Sequence, residues 1–388
     1  MLDPTPYRRL FPISERLAFF NHAGVSPVNT RAVAAMNEFN QLTAQMSITE
    51  YRLETTERTN DLRERIARLI NARSSDEIVL MPNTATGINT AALSLPLRPG
   101  DNVLVLDGDY PANIYPWMNL AHRGVLTKFV PQKDGGLDLD LLLSRVDSHT
   151  RVIAMSTVVF ATGFRNDIEA VGKICSERGI FFVVDGIQSL GALPLDVQAA
   201  NIDFLAAGSQ KWLLGPIGAG FLYVRAELMN QLVAGPYVGA SSVVDPANFL
   251  DYNFTPLPGA ERFNLGSQNF VGMYGLHASL ALIQEIGIEH VAERVLSLAG
   301  SLIADLRDRG FKLAASTAPE HRSGIVIAEV ADPAGASARL EQAGFVCIPR
   351  GKGVRIAPHF YNTEDEVQRV GEALSELSHE GIANAIRA

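Results

Sequence analysis

The sequence predicts an α/β protein: a large unit with a mostly parallel, helix-flanked sheet containing one antiparallel strand, followed by a smaller α/β C-terminal unit. Three observations predict it. Strand-like and helix-like segments alternate from Glu77 to Arg225, which reads as a doubly wound sheet. The clearest strands, such as Ile180–Val184, are apolar without alternation, as in strands buried on both faces. A second alternation begins after a helical pattern near residue 276, and 388 residues exceed the usual size of one core.

In order along the chain, residues 1–30 form a leading segment rich in Pro and Asn that ends in FFNHAGVSPVN, punctuated by Gly24 and Pro27. One long, mostly polar helical stretch is expected from about Thr30 to Asn71. The large unit spans 31–275, with strands in EIVLMP, DNVLVLD, RVIAMSTVV, GIFFVVD and DFLAAGS. Too few residues separate DFLAAGS from AGFLYVR for a crossover helix, so AGFLYVR is expected to run antiparallel. Residues 231–270 are a long Gly/Pro/Asn-rich segment, a length usually tied to function. The small unit, 276–388, carries SGIVIAEV, a helix ending EQAGF, strand patterns in GFVCIPR and VRIA, and a last helix from Thr363.

Composition narrows the chemistry. Apolar content of 47% and charge of 19% describe an ordinary soluble protein. A net charge of −9 argues against nucleic-acid or anionic-membrane partners, which need a basic face. Cys175 and Cys347, the only cysteines, suggest neither a disulfide framework nor a thiolate metal cage. No His/Cys/Asp/Glu cluster has metal-site spacing, and no apolar run is long enough to span a bilayer. The expectation is a cytoplasmic enzyme without a metal.

Asp185 ends the run IFFVVD, so it points into the crevice where open α/β sheets bind ligands. Phe204–Ala207 delivers Ser209 and Lys211 to the same edge. An amine and an acid facing one crevice suit pyridoxal 5'-phosphate: the lysine bonds the aldehyde, and the carboxylate keeps the ring nitrogen protonated. Asn83–Gly87 opens an apolar helix after a strand, an anion site or simply an N-cap. Gln188 is placed to reach the ring hydroxyl, or is a surface polar residue. Tyr110 is placed to stack on a flat ring, or is a half-buried aromatic. Arg355 begins a strand where a guanidinium clamps a substrate carboxylate, though most arginines are solvated.

The ordered set D-x-x-Q, S-x-K and R…YNT, from NHAG to PHFYNT, resembles the class V aminotransferase family of fold-type-I pyridoxal-phosphate enzymes. Lys211-Trp212-Leu213 and PHFYNT are similar to its isopenicillin N epimerase-like branch; cysteine desulfurases are another branch. The resemblance implies that Lys211 carries the Schiff base, Asp185 pairs the ring nitrogen and Gln188 meets the ring hydroxyl. Tyr110 then holds the stacking position, Thr84, Ala85 and Ser209 the phosphate, and Arg355 the substrate carboxylate. Ser267 matches a position that reaches the neighbouring subunit's phosphate, implying a homodimer with shared sites. Asn21 and His22, in the leading segment packing near the active site, are expected beside the substrate, and His359 could also approach it.

The chain departs from the desulfurase pattern. Only PRGKGV separates Ile348 from Arg355, and it contains no nucleophilic Cys. A buried structural role for Cys347 is expected, and persulfide chemistry is disfavoured. Gly215, Gly218 and Gly220 do not form a dinucleotide fingerprint, because a strand follows them. Amino-group or α-carbon chemistry on a small amino acid is the leading expectation. A C–S lyase working by β-elimination is the alternative, with a non-catalytic cofactor-binding protein behind it.

Overall fold

A computed structural model describes residues 2–387 except 234–236, 248, 249 and 316, with side chains described as far as Leu377 in the last helix, Glu364–Arg387. A two-residue strand, β1 (Ala18–Phe19), lies in the leading segment. Seven strands then build the main sheet: β2 (Ile78–Met81), β3 (Asn102–Leu106), β4 (Leu126–Val130), β5 (Thr150–Ser156), β6 (Phe181–Asp185), β7 (Phe204–Gly208) and β8 (Gly220–Val224). Their order is β2-β8-β7-β6-β5-β3-β4. Strand β8 is antiparallel to both neighbours, and every other pairing is parallel. Only residues 209–219 join β7 to β8, too short a link for a crossover, so the chain must reverse.

Apolar continuity within these strands follows from helices on both faces. Phe182, Val184, Leu205 and Ala207 enter one core layer, while Val183, Phe204 and Ala206 enter the opposite one. The carboxyl ends of β2, β3, β5, β6 and β7 meet along one edge of the sheet, with Ser156 of β5 registered against Asp185 of β6. That edge is where an open parallel sheet leaves a crevice.

The single helix expected over 30–71 is two, Thr30–Thr43 and Ile48–Leu69. The break is a capping box. The Ser47 N–H donates to Glu50 Oε2 (2.7 Å) and the Glu50 N–H donates to Ser47 Oγ (3.3 Å), which starts a new helix instead of continuing the old one.

Four further strands, β9 (Val326–Glu329), β10 (Phe345–Val346), β11 (Ile348–Arg350) and β12 (Gly353–Ile356), form a three-stranded sheet β11-β12-β9 and a separate two-stranded pair of β1 with β10. GFVCIPR, expected as one strand, divides at buried Cys347: β10 pairs in parallel with β1, while β11 forms an antiparallel hairpin with β12 and β9 pairs on its far side. The leading segment is thus sewn to the chain's last quarter. Phe20 packs with Val354 and Ile356, and the Ala357 N–H donates to the Phe20 carbonyl (2.7 Å). Position 275 falls inside the helix Phe270–Ile286, so the two sheets are joined through a helix. Among the described residues, no helix is long and apolar enough to cross a membrane.

Candidate active site

The helix Thr84–Ser94 starts at the sheet edge just after β2. Asn83 caps it, its Oδ1 accepting from the Thr86 N–H (2.8 Å) and hydroxyl (3.0 Å). The first amides of a helix have no intrahelical partner, so those of Thr84 and Ala85 are available to an anion. Thr84 Oγ1 accepts from the Gly208 N–H (2.9 Å), which ties this start to the end of β7. A groove of about 700 Å³ opens beside it, lined by Asn83, Ala85, Thr86, Ser267, Gln268 and Asn269. Ser267 therefore stands in one groove with the start of the helix Thr84–Ser94 of its own chain.

Ser209 departs from its expected role. It is fully buried, and its hydroxyl donates to the Pro216 carbonyl (2.6 Å), bracing the turn between β7 and β8. The next residue, Gln210, turns its side chain back toward the end of β7. Its Oε1 is 2.5 Å from where a Cβ on Gly208 would stand, so glycine there leaves room for the Gln210 amide.

Asp185 and Lys211 do share the crevice. Asp185 is buried; its Oδ1 accepts from the Ile187 N–H (2.9 Å), and Oδ2 has no partner at all. Burial raises its carboxyl well above the usual range, and the neighbouring Asp109 adds to this. Burial lowers the Lys211 amine, Asp185 opposes that, and Arg355 and Arg350 lower it further. The Lys211 ammonium lies 5.4 Å from the centre of the Tyr110 ring, which meets the Phe160 ring edge-on at 5.1 Å. Asp109 fixes this arrangement. Its oxygens accept from the Tyr110 N–H, the Ser156 N–H and hydroxyl, and the Asn113 amide.

Gln188 is oriented by its surroundings. Its Oε1 accepts from the Trp212 indole (3.0 Å), and its Nε2 donates to the Ala23 carbonyl (3.1 Å), leaving one amide hydrogen uncommitted.

Arg355 is almost wholly buried. It donates to Asn21 Oδ1 (3.2 Å) and to the Phe160 carbonyl (3.4 Å), while its Nε has no partner. Burial, with Arg350 nearby, lowers it to about 9. Asn21 thus touches the Arg355 guanidinium.

His22 does not face the crevice. It is fully buried, Nδ1 donating to the Ala357 carbonyl (2.7 Å) and Nε2 accepting from the Tyr361 hydroxyl (2.8 Å). Burial holds it well below the usual imidazole value, so it is a neutral strut between the leading segment and β12. His359 is similar: Nε2 donates to the Trp212 carbonyl (3.0 Å), Nδ1 accepts from the Phe360 N–H (2.8 Å), and burial lowers it to about 4. Neither is placed to exchange a proton with a ligand.

A buried lysine, a buried acid with a free oxygen, an aromatic ring beside the lysine and a helix start tied to the same sheet edge make a cradle for pyridoxal phosphate. The unpartnered Asp185 oxygen is the test of fit, because a buried carboxylate oxygen without a donor is costly unless a ligand supplies one. Comparison with known proteins agrees. The chain belongs to the class V aminotransferases, whose family model matches residues 18–370, and it is a pyridoxal-phosphate-dependent enzyme. A probable cysteine desulfurase of Methanothermobacter thermautotrophicus is 30% identical over 398 residues, covering 96% of this chain and 98% of the relative. Apo cysteine desulfurase from Thermococcus onnurineus NA1 superposes with a TM-score of 0.89 at 24% identity, over 98% of this chain and 99% of the other. The cystine C–S lyase C-DES, in complex with its reaction product cysteine persulfide, gives 0.85 at 24%, over 94% and 99%.

Proposed function

We propose that the enzyme acts on the amino group or α-carbon of a small amino acid, with Lys211, Asp185 and Arg355 as its working groups. The observation that carries this reading is their convergence on one crevice with an Asp185 oxygen and the Arg355 Nε both buried and unpartnered. Thr84, Ala85 and Gln210 would hold the phosphate, Tyr110 the ring face, and Gln188, through its spare hydrogen, the ring hydroxyl. When bound there, pyridoxal phosphate supplies an electron sink for charge left at the α-carbon. Arg355 grips the substrate carboxylate and so fixes which α-carbon bond is exposed to reaction. The Lys211 amine, its proton loosened by burial, removes the α-proton as general base at Nζ. The isopenicillin N epimerase-like assignment rests on the KWL and PHFYNT pattern; in the fold, Trp212 joins His359 of PHFYNT to Gln188.

Loss of a sulfur substituent by β-elimination is the second reading. It is favoured over persulfide transfer because Cys175 and Cys347 are both buried and burial pushes both thiols up, so neither can serve as a sulfur acceptor. A screen of amino acids against the cofactor's visible band, followed by product analysis, tests both. Keto acid without released sulfide, or D-isomer, supports the first reading; sulfide with pyruvate and ammonia supports the second; and no spectral response from any amino acid sinks both. Arg355→Ala should raise KM about 100-fold while the protein still binds cofactor; unchanged kinetics would remove the clamp.

We also propose a homodimer, with 31–275 as the cofactor unit and 276–388 as the smaller one. Leu250 and Tyr252 are 92% and 90% exposed, and Phe254, Tyr237, Ile217 and Leu265 are also exposed, an apolar surface rarely left to water. Light scattering should give twice the 42.0 kDa chain mass, and Leu250→Asp with Tyr252→Asp should shift it to monomer. A fully active monomer would rule out shared sites.

A further inference from the structure

We infer that the substrate carries a second anionic group, as on a dicarboxylic amino acid, and that Arg350 receives it. The inference rests on the amino-acid reading above and narrows it. Arg350 closes β11 and Arg355 lies in β12; Ile348 is registered against Arg355, and Arg350 against Gly353. Residues two apart on a strand share a face, so both arginines project from one face of the hairpin as diagonal neighbours. Such neighbours lie about 7–8 Å apart, a spacing suited to two carboxylates at the ends of a four- or five-carbon chain.

One residue organises the pair. The Phe160 carbonyl accepts from Arg355 (3.4 Å), and its ring lies 5.3 Å from the Arg350 guanidinium carbon. The same ring packs on Tyr110, whose face meets the Lys211 ammonium. Three cations, Lys211, Arg350 and Arg355, are thus gathered around one crevice, with Asp185 beside Lys211.

Three other arginines, Arg8, Arg294 and Arg309, have carboxylate partners in Glu366, Glu364 and Asp305. Among the described residues, no carboxylate pairs with Arg350 or Arg355, and the Nε of each is buried without a partner. Charge-assisted donors left open in a crevice are receptors for an anion. The α-carboxylate satisfies one of them, and the other needs an acid on the side chain.

The test uses the cofactor-loaded protein and acids that lack an amine and so cannot react. Glutarate and butyrate are titrated by calorimetry. Glutarate should bind at least about tenfold tighter than butyrate. In Arg350→Gln the gap should close through loss of glutarate affinity alone, while Arg350→Lys should keep part of it. Equal affinities in the unmodified protein would overturn the inference, as would a gap that persists in Arg350→Gln. The unmodified protein decides the matter even if a variant misfolds. A visible cofactor band with no glutarate preference defeats this inference alone; absence of the band defeats the amino-acid reading as well.

Discussion

Lys211→Ala should reduce turnover by about 10³-fold or more and abolish covalent attachment of the cofactor. Two functions are lost together: the amine that bonds the cofactor, and the base that takes the α-proton. His22 and His359 are the nearest imidazoles to the leading segment and β12, but both of their nitrogens are engaged internally. Borohydride treatment followed by peptide mass analysis reads the first function directly: the cofactor mass should appear on Lys211 and be missing from the variant. Near-normal turnover in Lys211→Ala would remove the mechanism.

Asp185→Asn should have opposite effects on activity and on the stability of the cofactor-free protein. Activity should fall by about 10²–10⁴-fold, because an amide cannot hold a proton on the ring nitrogen electrostatically. Stability runs the other way. Burial raises the folded-state pKa of Asp185 above its unfolded value. Below about pH 4 both states hold the proton and nothing is lost. As pH rises above that, the unfolded chain releases the proton more readily than the folded one, so the native state is progressively disfavoured. Asparagine keeps the contact to the Ile187 N–H and removes the buried charge. Thermal melts of cofactor-free protein at pH 8 should therefore show the variant more stable by about 2 °C or more, with the difference vanishing near pH 4. A variant less stable at pH 8 would contradict the view of Asp185 as an uncompensated acid awaiting its partner.

Much of this was legible in the sequence, for identifiable reasons. Asp185 and Lys211 could be found because each follows a short, fully apolar strand, and the ends of parallel strands share an edge. The reversal of β8 followed from the length of the link before it. The helix break at Ser47 was also written in the sequence as S-I-T-E, a capping-box signature that the apolar periodicity concealed. Other features were not available to any local reading. That His22 is consumed by Ala357 and Tyr361, or that Ser209 turns to Pro216, depends on which groups meet after folding. Asp109, Phe160 and Arg350 carry no motif, and they matter only because three distant segments bring them to the same ring and guanidinium groups.

The seam between β1 and β10 bears on how the protein is made. His22 and its acceptor Ala357 are 335 positions apart, so the earlier segment must wait for the later one to be made. At the usual pace of translation that delay is roughly 15–70 s. Phe11, Phe19 and Phe20, all buried at the end, spend it without their final partners. The main sheet has all its strands once residue 224 emerges, whereas the strand that carries Arg355 follows about 130 residues later.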